Sequence, residues 1–497
     1  MKTVAGIDIG TQSTKVLIYD PELKKIIAEG SHPHELVSRA DGTREQEAVW
    51  WIIAIKRCFE QIPQEIRSTI EAIGVSGQQH GFVPVDGRGE VLYPVKLWCD
   101  TSTAQECTEL TDAYGGADVL LEQVGNLVLP GYTASKILWF KKYHPDLYKK
   151  MTKMLLPHDY INWYLTGEFT MEAGDASGTA LLSIKERSWN KELIKTLDPD
   201  RDLLSCLPPL IESGAPSGYV TPKAAEEFGI PVGIPVSSGG GDNMMGAIGT
   251  GTVQAGILTM SLGTSGTLYG YSDTPVIDPH GELAAFCSST NGWLPLLCTM
   301  NCTVASELTR SLCKCDIKRF DAQAMAAPAG AEGVIMLPFF NGERTPNFPH
   351  GKGCIVGMNT TNMSEKNVAR SAMESAIFGL KMGLDAFISL GYEPKEIRLI
   401  GGGANSPLWR QIAADILDLP VVIPEIKEAA AFGAALQALW CLSGITGEQE
   451  SISSLTDTHV LLDDAKSCRP QQDHVGVYKT AYALYHAYVE ALSELFS

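Results

Sequence analysis

The fold is decided by a short stretch near the N-terminus, Ile7-Asp8-Ile9-Gly10-Thr11-Gln12-Ser13-Thr14. It continues an apolar run from Val4 and leads into a second apolar run, Val16–Tyr19. This pattern predicts two antiparallel strands joined by a tight Gly/Thr/Ser hairpin. The pattern recurs at Met260-Ser261-Leu262-Gly263-Thr264-Ser265-Gly266-Thr267. A repeat of about half the chain predicts two domains of similar fold, since solenoid repeats are far shorter.

Length and periodicity agree with two domains. A chain of 497 residues exceeds what one ordinary core accommodates. We expect an N-terminal lobe at 1–245 and a C-terminal lobe at 246–497. Between them, Gly246, Gly249 and Gly251 predict a hinge, and the alternative is that they serve helix packing and a turn.

Composition excludes several classes of function. The formal net charge of -19 argues against nucleic-acid binding, which needs clustered Lys and Arg. The most apolar stretch, 429–442, is short and reads as a buried helix, so no membrane partner is expected. Twelve irregularly spaced cysteines, with no CxxC, predict reduced thiols and a cytoplasmic protein, in keeping with the lack of a signal-peptide pattern.

The two hairpins are candidate phosphate sites. Glycine lets the backbone approach a phosphate, and Thr and Ser hydroxyls with successive N–H groups form an anion-binding nest. The alternative is a pair of ordinary hairpins. No P-loop motif is present. The candidate contacts are Gly10, Thr11, Gln12, Ser13 and Thr14 in the first hairpin and Gly263, Thr264 and Ser265 in the second.

Asp8 is a carboxylate inside an otherwise apolar strand. A buried carboxylate must meet a cation or a donor. We expect it to bind Mg²⁺ of a nucleotide, largely through water, and the alternative is a structural Asp bonded to the turn.

A second carboxylate follows three glycines, in Gly239-Gly240-Gly241-Asp242-Asn243. A strand over 234–238 and a helix over 243–248 place Asp242 at a helix N-terminus. Three glycines cost conformational entropy and offer no packing, which favours a catalytic base close to a hydroxyl and a phosphate. The alternative is an N-capping Asp.

Two further turns are candidate ligand contacts. Gly401-Gly402-Gly403-Ala404-Asn405 lies between a strand and a helix that Ser406 caps, and small residues there would let an adenosine lie against the backbone. Ser76-Gly77-Gln78-Gln79-His80-Gly81 carries polar side chains that suit vicinal hydroxyls, and the alternative is a solvated turn. Trp98 and Asp100, after the next strand, are candidates for the same sugar pocket.

With these residues in view, the chain resembles the FGGY carbohydrate kinases over nearly its whole length. The hairpins, the segment 401–405, and two diagnostic stretches, 131–139 and 353–358 with 371–374, carry the resemblance. The resemblance implies an α/β fold of two ribonuclease-H-like domains, the actin-like ATPase superfold, facing across a catalytic cleft. It also implies ATP and Mg²⁺ as cofactors.

Within the family, the loop 77–81 is similar to that of the kinases acting on D-xylulose, as are 239–243 and 342–346. This resemblance implies that Asp242 is the general base, Asp8 the Mg²⁺-associated carboxylate, and Gln79, His80 and Asn243 sugar contacts. One departure is Cys99-Asp100-Thr101-Ser102, where many of those kinases have Asn-Asp-Gly-Arg.

Several alternatives stay open at the level of sequence. They are a kinase for another pentulose or a polyol, a non-metabolic ATPase of the same superfold, and an inactive sugar sensor. The expected partners are ATP and a small sugar, and a homodimer is compatible with the resemblance.

Overall fold

The computed structural model of the protein describes residues 2–448 and 450–496. The first sheet is built from β1 (Thr3–Ile9), β2 (Ser13–Asp20), β3 (Lys25–Pro33), β4 (Ile70–Gly77) and β5 (Pro235–Ser237). Their order is β3-β2-β1-β4-β5, and two short strands complete this seven-stranded sheet, Pro216–Tyr219 beside β5 and Gly240–Gly241 beside β4. The β3-β2-β1 meander is antiparallel, whereas β4 pairs in parallel with β1 and with β5.

The second sheet repeats this arrangement. It contains β6 (Ile257–Leu262), β7 (Gly266–Gly270), β8 (Leu296–Thr299), β9 (Glu396–Ile400) and β10 (Val421–Val422), in the order β8-β7-β6-β9-β10. The pairing directions are also the same, antiparallel in the meander and parallel from β6 through β10. The prediction of two related domains from the repeated hairpin is therefore confirmed.

Eight helices complete the parts of the fold that concern the site. They are α1 (Ala48–Glu60), α2 (Thr133–Tyr143), α3 (Pro157–Thr166), α4 (Asp242–Thr250), α5 (Glu365–Ser389), α6 (Pro407–Leu417), α7 (Ala429–Thr446) and α8 (Gln472–Phe496). The remaining helices of at least four residues are Gln64–Arg67, Ala104–Tyr114, Ala117–Gln123, Pro145–Lys150, Ala173–Ala176, Lys191–Leu197, Leu203–Cys206, Pro222–Phe228, Thr303–Leu312, Ile317–Ala326, Gly402–Asn405 and Ile452–His459. The main shorter strands are Arg44–Gln46, Val83–Val85, Val95–Lys96, Lys153–Leu155, Met171–Glu172, Pro216–Tyr219, Gly240–Gly241, Ile335–Pro338 and Gly353–Val356.

Helix α7 belongs to the second half of the sequence but packs on the first sheet. A Cβ added at Gly6 of β1 would lie 1.9 Å from the carbonyl oxygen of Ala431, and one at Gly74 of β4 would lie 1.9 Å from that of Ala434. The helix therefore lies directly on the strand backbones, which only glycine permits. Along the described chain, α7 alone is long and apolar enough to cross a membrane, yet 61% of that span is buried in the fold.

Helix α4 crosses α7 equally closely. A Cβ on Gly433 would lie 1.8 Å from the carbonyl oxygen of Met245, and one on Gly249 would lie 1.9 Å from that of Ala429. Gly251, with a φ of 74°, ends α4 in the left-handed conformation. The hinge predicted at these glycines is thus not needed to explain Gly249 and Gly251, which serve helix packing and a helix end.

Candidate active site

One edge of the first sheet brings together three predicted parts of the site. They are the base Asp242, the Mg²⁺ ligand Asp8 and the loop 77–81, called the sugar loop below. Asp8 of β1 is in register with Ser76 of β4, which pairs in turn with Gly240. The backbone N–H of Gln78 then donates to the carbonyl of Ile9, 2.8 Å away. Because these strands are parallel, their carboxyl ends bring the three segments together.

Asp242 is the first residue of α4, and its side chain does not cap the helix. The N-cap residue is Gly241. The Oδ1 atom of Asp242 accepts from the backbone N–H of Asn243 at 2.8 Å and from its Nδ2 at 3.2 Å. The alternative of an N-capping Asp is therefore wrong. Burial, together with the negative charges of Asp8 and Asp175, raises the pKa of Asp242 to about 7. A carboxylate with that pKa is suited to accept a proton near neutral pH.

Asp8 is half-buried and accepts one hydrogen bond, from the Ser76 hydroxyl at 2.8 Å. Burial raises the pKa of Asp8 to about 6, against the lowering effects of this bond and of Lys15. Its second oxygen accepts no hydrogen bond in the described structure. No cluster of three His, Cys, Asp or Glu side chains able to hold a metal occurs among residues 2–448 and 450–496. A single carboxylate such as Asp8 can be enough for Mg²⁺, which needs only one or two carboxylates when phosphates and water supply its other ligands.

The loop with Gln79 and His80 is held in a strained conformation. His80 has a φ of 63°, which is unusual for a residue other than glycine. Its carbonyl oxygen accepts from Lys136 Nζ at 2.8 Å and from Thr133 Oγ1 at 3.2 Å, both at the start of α2. The imidazole lies near the rings of Tyr132 and Phe286, with centroids 4.6 and 5.7 Å away.

Electrostatics favour a neutral imidazole at this loop. Burial, and then the positive charges of Lys136 and Arg344, hold the pKa of His80 well below its usual value. A neutral imidazole offers one donor and one acceptor, which suits a sugar hydroxyl. Gln79 is also buried, and its Oε1 accepts from Asn243 Nδ2 at 2.8 Å. The loop of Gln79 and His80 is therefore hydrogen-bonded directly to the segment that carries Asp242.

Trp98 stays a predicted sugar contact, whereas the hydrogen bonds of Asp100 are not those of a sugar ligand. Trp98 Nε1 donates to Thr11 Oγ1 at 2.9 Å, so this indole supports the first hairpin. Asp100 is fully buried, and its carboxylate accepts from the Arg44 backbone, from Lys96 Nζ and from Ser102. The prediction for Asp100 is corrected on this ground, because both carboxylate oxygens are occupied by protein donors.

The first hairpin is largely accessible. Gly10, Thr11 and Ser13 are half-buried and Gln12 is exposed. Thr14 is instead buried, and its Oγ1 has no hydrogen-bond partner in the described structure, so it stays a prediction as a phosphate contact.

The second hairpin and the candidate adenosine segment lie side by side. Gly263 and Ser265 are half-buried and Thr264 is exposed. A Cβ on Gly401 would lie 2.8 Å from the carbonyl oxygen of Leu262, so the two turns are in contact. Gly402 and Asn405 are exposed, whereas Gly403 is buried under Leu262 and serves packing.

Sequence reasoning missed several residues of the site. Tyr132 and Phe286 flank His80, Lys136 holds its carbonyl, and Asp175 influences Asp242. Tyr132 and Lys136 lie inside the diagnostic stretch 131–139, and that position could have indicated that they belong to the site. Phe286 and Asp175 stand in stretches with no distinctive pattern.

Two ribonuclease-H-like domains, each with a Gly/Thr/Ser hairpin, and a buried carboxylate beside the loop of Gln79 and His80 are the features of a kinase of the actin-like superfold. Comparison with family models identifies the member of that class. Residues 3–249 match the N-terminal domain of the FGGY family of carbohydrate kinases, and residues 258–442 match its C-terminal domain. The chain belongs to the FGGY family of carbohydrate kinases.

Individual relatives agree with this family. The chain is 43% identical to a xylulose kinase of Haemophilus influenzae, over 98% of this chain and 99% of that protein. The solved xylulose kinase of Bifidobacterium adolescentis is 28% identical, with a TM-score of 0.83 over 97% of this chain and 99% of that one. A solved gluconate kinase of Lactobacillus acidophilus, 23% identical, has a TM-score of 0.92 over 100% and 99% of the two chains. At that identity the likeness extends to the fold alone.

Proposed function

We propose that this carbohydrate kinase transfers the γ-phosphoryl group of ATP to the C5 hydroxyl of D-xylulose. The observation that carries the proposal is the Asp242 carboxylate, whose pKa is raised to about 7 beside the acceptor loop. The likeness to xylulose kinases over the whole chain supports D-xylulose as the acceptor.

Asp242 acts as the general base. Its carboxylate takes the proton of the sugar hydroxyl as the hydroxyl oxygen attacks the γ-phosphorus, and the bond from phosphorus to the bridging β–γ oxygen breaks to release ADP. Such a transfer depends mainly on positioning and on charge stabilisation. The backbone N–H of Asn243 fixes the Asp242 oxygen in place from 2.8 Å.

The acceptor is bound by Gln79, His80 and Asn243, with Tyr132 and Phe286 as walls of the pocket. The nucleotide is bound by the two hairpins and the segment 401–405, through Gly10, Thr11, Gln12, Ser13, Gly263, Thr264, Ser265, Gly401, Gly402 and Asn405. Gly403 allows this segment to pack under Leu262.

Mg²⁺ is the proposed metal, and Asp8 would hold it through Oδ2, since the Ser76 hydroxyl donates to Oδ1. When bound, the ion neutralises charge on the phosphates. Protonation of Asp8 competes with cation binding, because the pKa of Asp8 is raised to about 6.

The remaining features of the proposal concern the whole molecule. We place the lobes at 1–245 and 246–497 in sequence, with α7 returning to the first sheet.

A cytoplasmic location is in keeping with the twelve free cysteines. A homodimer stays a prediction that light scattering during size exclusion would test.

The alternative within the same class is a kinase for another pentulose or a polyol. The gluconate kinase with the same fold illustrates that the fold alone leaves the acceptor open. The fold does not decide between a kinase and a non-metabolic ATPase either, but the FGGY family and the Gln79–His80 loop favour the kinase.

Replacing Asp242 tests the proposed base. Asp242→Asn keeps the shape of the side chain but removes the proton acceptor, and we expect kcat to fall by about 10²–10⁴-fold. ATP affinity, measured by calorimetry with the same protein, should stay within about twofold of the original value. A variant that retains kcat within about tenfold of the original would remove Asp242 from the mechanism.

A further inference from the structure

A buried group of charges lies behind the sugar loop. His158 is fully buried between two carboxylates, with Nδ1 2.8 Å from Asp175 Oδ2 and Nε2 2.9 Å from Asp159 Oδ1. The Nδ1 contact is an aligned hydrogen bond, whereas Nε2 and Asp159 Oδ1 are close but are not aligned as one. Two carboxylates this close to the ring favour the cationic imidazole. Although burial opposes that charge, Asp159 and Asp175 raise the pKa of His158 well above its usual value.

The two carboxylates differ in their other contacts. Asp159 lies in the first turn of α3 and its Oδ2 accepts from the backbone N–H of Leu156 at 2.9 Å, which stabilises the helix start. Asp175 lies on the short helix Ala173–Ala176, and its Oδ1 has no aligned hydrogen-bond partner in the described structure. Asp159 therefore has a structural role, whereas half of the Asp175 carboxylate is available to a neighbour.

That neighbour is Gln79 of the sugar loop. Its Nε2 is buried and likewise lacks an aligned acceptor in the part of the chain that the structure describes. A Cβ on Gly241 would lie 2.9 Å from Asp175 Oδ1 and 2.6 Å from Gln79 Cγ, so both groups border the residue before Asp242. The Gln79 amide is close enough to stabilise the Asp175 carboxylate and lower its pKa, against the larger effect of burial.

The contacts of Gln79 fix the orientation of its carboxamide. Oε1 accepts from Asn243 Nδ2, and Asn243 donates to Asp242, so Nε2 must point toward Asp175. A flipped carboxamide would place two donors against each other at Asn243 and two acceptors against each other at Asp175. The chain of polar groups thus runs from His158 through Asp175, Gln79 and Asn243 to Asp242.

We propose that Asp175, anchored by the His158 cation, is a positioning residue that orients Gln79 and Asn243 and adds negative charge next to Asp242. The proposal deepens the function above and rests on Asp242 as the base. It assigns His158 and the helix Ala173–Ala176 to the support of the acceptor site, although His158 and Asp175 are both fully buried.

The direction of the electrostatic effect follows from the groups around each carboxylate. Asp242 faces Asp8 from β1 and Asp175 from the short helix, and also faces the neutral side chains Tyr269 of β7 and Cys298 of β8. Negative charge on Asp175 favours the protonated form of Asp242. Removing that charge should therefore lower the pKa of Asp242.

The groups around Asp175 set the charge that it carries. It faces His158 and Asp159 from α3, Glu172 from the preceding strand, and the Gln79 amide. Burial raises the pKa of Glu172 to about 7, although the His158 charge and two backbone N–H groups act to lower it. Glu172 is therefore partly protonated near neutral pH, and its negative charge only partly offsets the positive charge of His158.

The test compares Asp175→Asn with Asp159→Asn. Both remove one negative charge next to His158, but only Asp175 borders Gln79 and Asp242. The fall of kcat/KM for D-xylulose at low pH, called the acidic limb of its pH profile, reports protonation of Asp242. For Asp175→Asn we expect this limb to move to lower pH by about half a pH unit or more. We also expect KM for D-xylulose to rise severalfold with KM for ATP unchanged. Asp159→Asn should keep the position of the limb and both KM values, with a lower midpoint of thermal unfolding.

Two further variants separate positioning from folding. Adding Gln79→Glu to Asp175→Asn places a carboxylate where both neighbouring amides can donate to it, and should restore part of the D-xylulose KM. If Asp175→Asn does not fold, Asp175→Glu keeps the charge and shifts the carboxylate, so KM for D-xylulose should rise while the limb stays in place.

Three results bear on the proposal separately. For Asp175→Asn, an acidic limb and a D-xylulose KM that both stay unchanged would overturn the positioning role. For Asp175→Glu, if that variant is used, an unchanged D-xylulose KM would overturn it. Equal shifts in Asp175→Asn and Asp159→Asn would reduce the cluster to a structural element and overturn it as well. If Asp242→Asn remains active, the proposed base is wrong, a failure distinct from the other two.

Discussion

The acidity of Asp242 leads to a definite pH dependence. A general base is active only when deprotonated, and the pKa of Asp242 is raised to about 7 by burial and by Asp8 and Asp175. At pH 6 about one tenth of such a carboxylate is deprotonated, and at pH 5 about one hundredth. We therefore expect kcat/KM for the sugar to fall about tenfold per pH unit below 7, since the proton must leave before the site can work.

The assay measures ADP release at saturating Mg-ATP between pH 5 and 8.5. Because Asp8 also titrates, with a pKa of about 6, the profile below pH 6 will reflect the two carboxylates as a coupled pair and become steeper. Enzyme held at pH 5 and returned to pH 8 must recover full activity, which controls for unfolding. A kcat/KM that changes less than about twofold between pH 8 and pH 5 would refute the reasoning.

Two substitutions test other parts of the account. His80→Ala should raise KM for the sugar much more than KM for ATP, because His80 lies on the acceptor loop; a parallel rise in the ATP KM would place the loop at the nucleotide instead. Gly433→Ala should lower stability by about 1–3 kcal/mol, since its Cβ would lie 1.8 Å from the Met245 carbonyl oxygen and would separate α4 from α7. Gly444→Ala in the same helix has no neighbour within 4 Å and is the matched control, expected to be neutral or stabilising by up to about 1 kcal/mol. Equal melting temperatures for these two variants would contradict the packing.

Local patterns were enough to predict the repeated sheet. The strand predicted before the segment 401–405 and the Ser406 cap of the helix after it are both present, as β9 and the start of α6. Each depends on neighbouring residues, such as an apolar run or a Ser-Pro helix start, which act over a few positions of sequence.

The position of α7 could not be predicted in the same way. Its contact with β1 depends on Gly6 meeting Ala431, residues that belong to opposite halves of the chain. An apolar helix signals burial but not the surface on which it is buried. For that reason the sequence leaves open whether Gly246, Gly249 and Gly251 form a hinge or serve helix packing and a turn.

The site shows the same division. Asp8, Gln79, His80 and Asp242 are predicted as site residues because polar residues next to strands and glycines are unusual locally. Asp100 was misassigned, because its partner Lys96 and the Arg44 backbone are brought to it only by the fold. Asp175 was missed because its importance comes entirely from its neighbours in space.

The central claim is that the chain phosphorylates D-xylulose in particular. The most direct measurement is ADP release with Mg-ATP and a panel of D-xylulose, D-ribulose, L-ribulose, xylitol, D-gluconate and glycerol. We predict that D-xylulose gives the highest kcat/KM, at least about tenfold above any other acceptor, because the Gln79–His80 loop binds its hydroxyls with fixed donors and acceptors. A higher kcat/KM for another acceptor, or ADP release indifferent to every sugar, would contradict the claim.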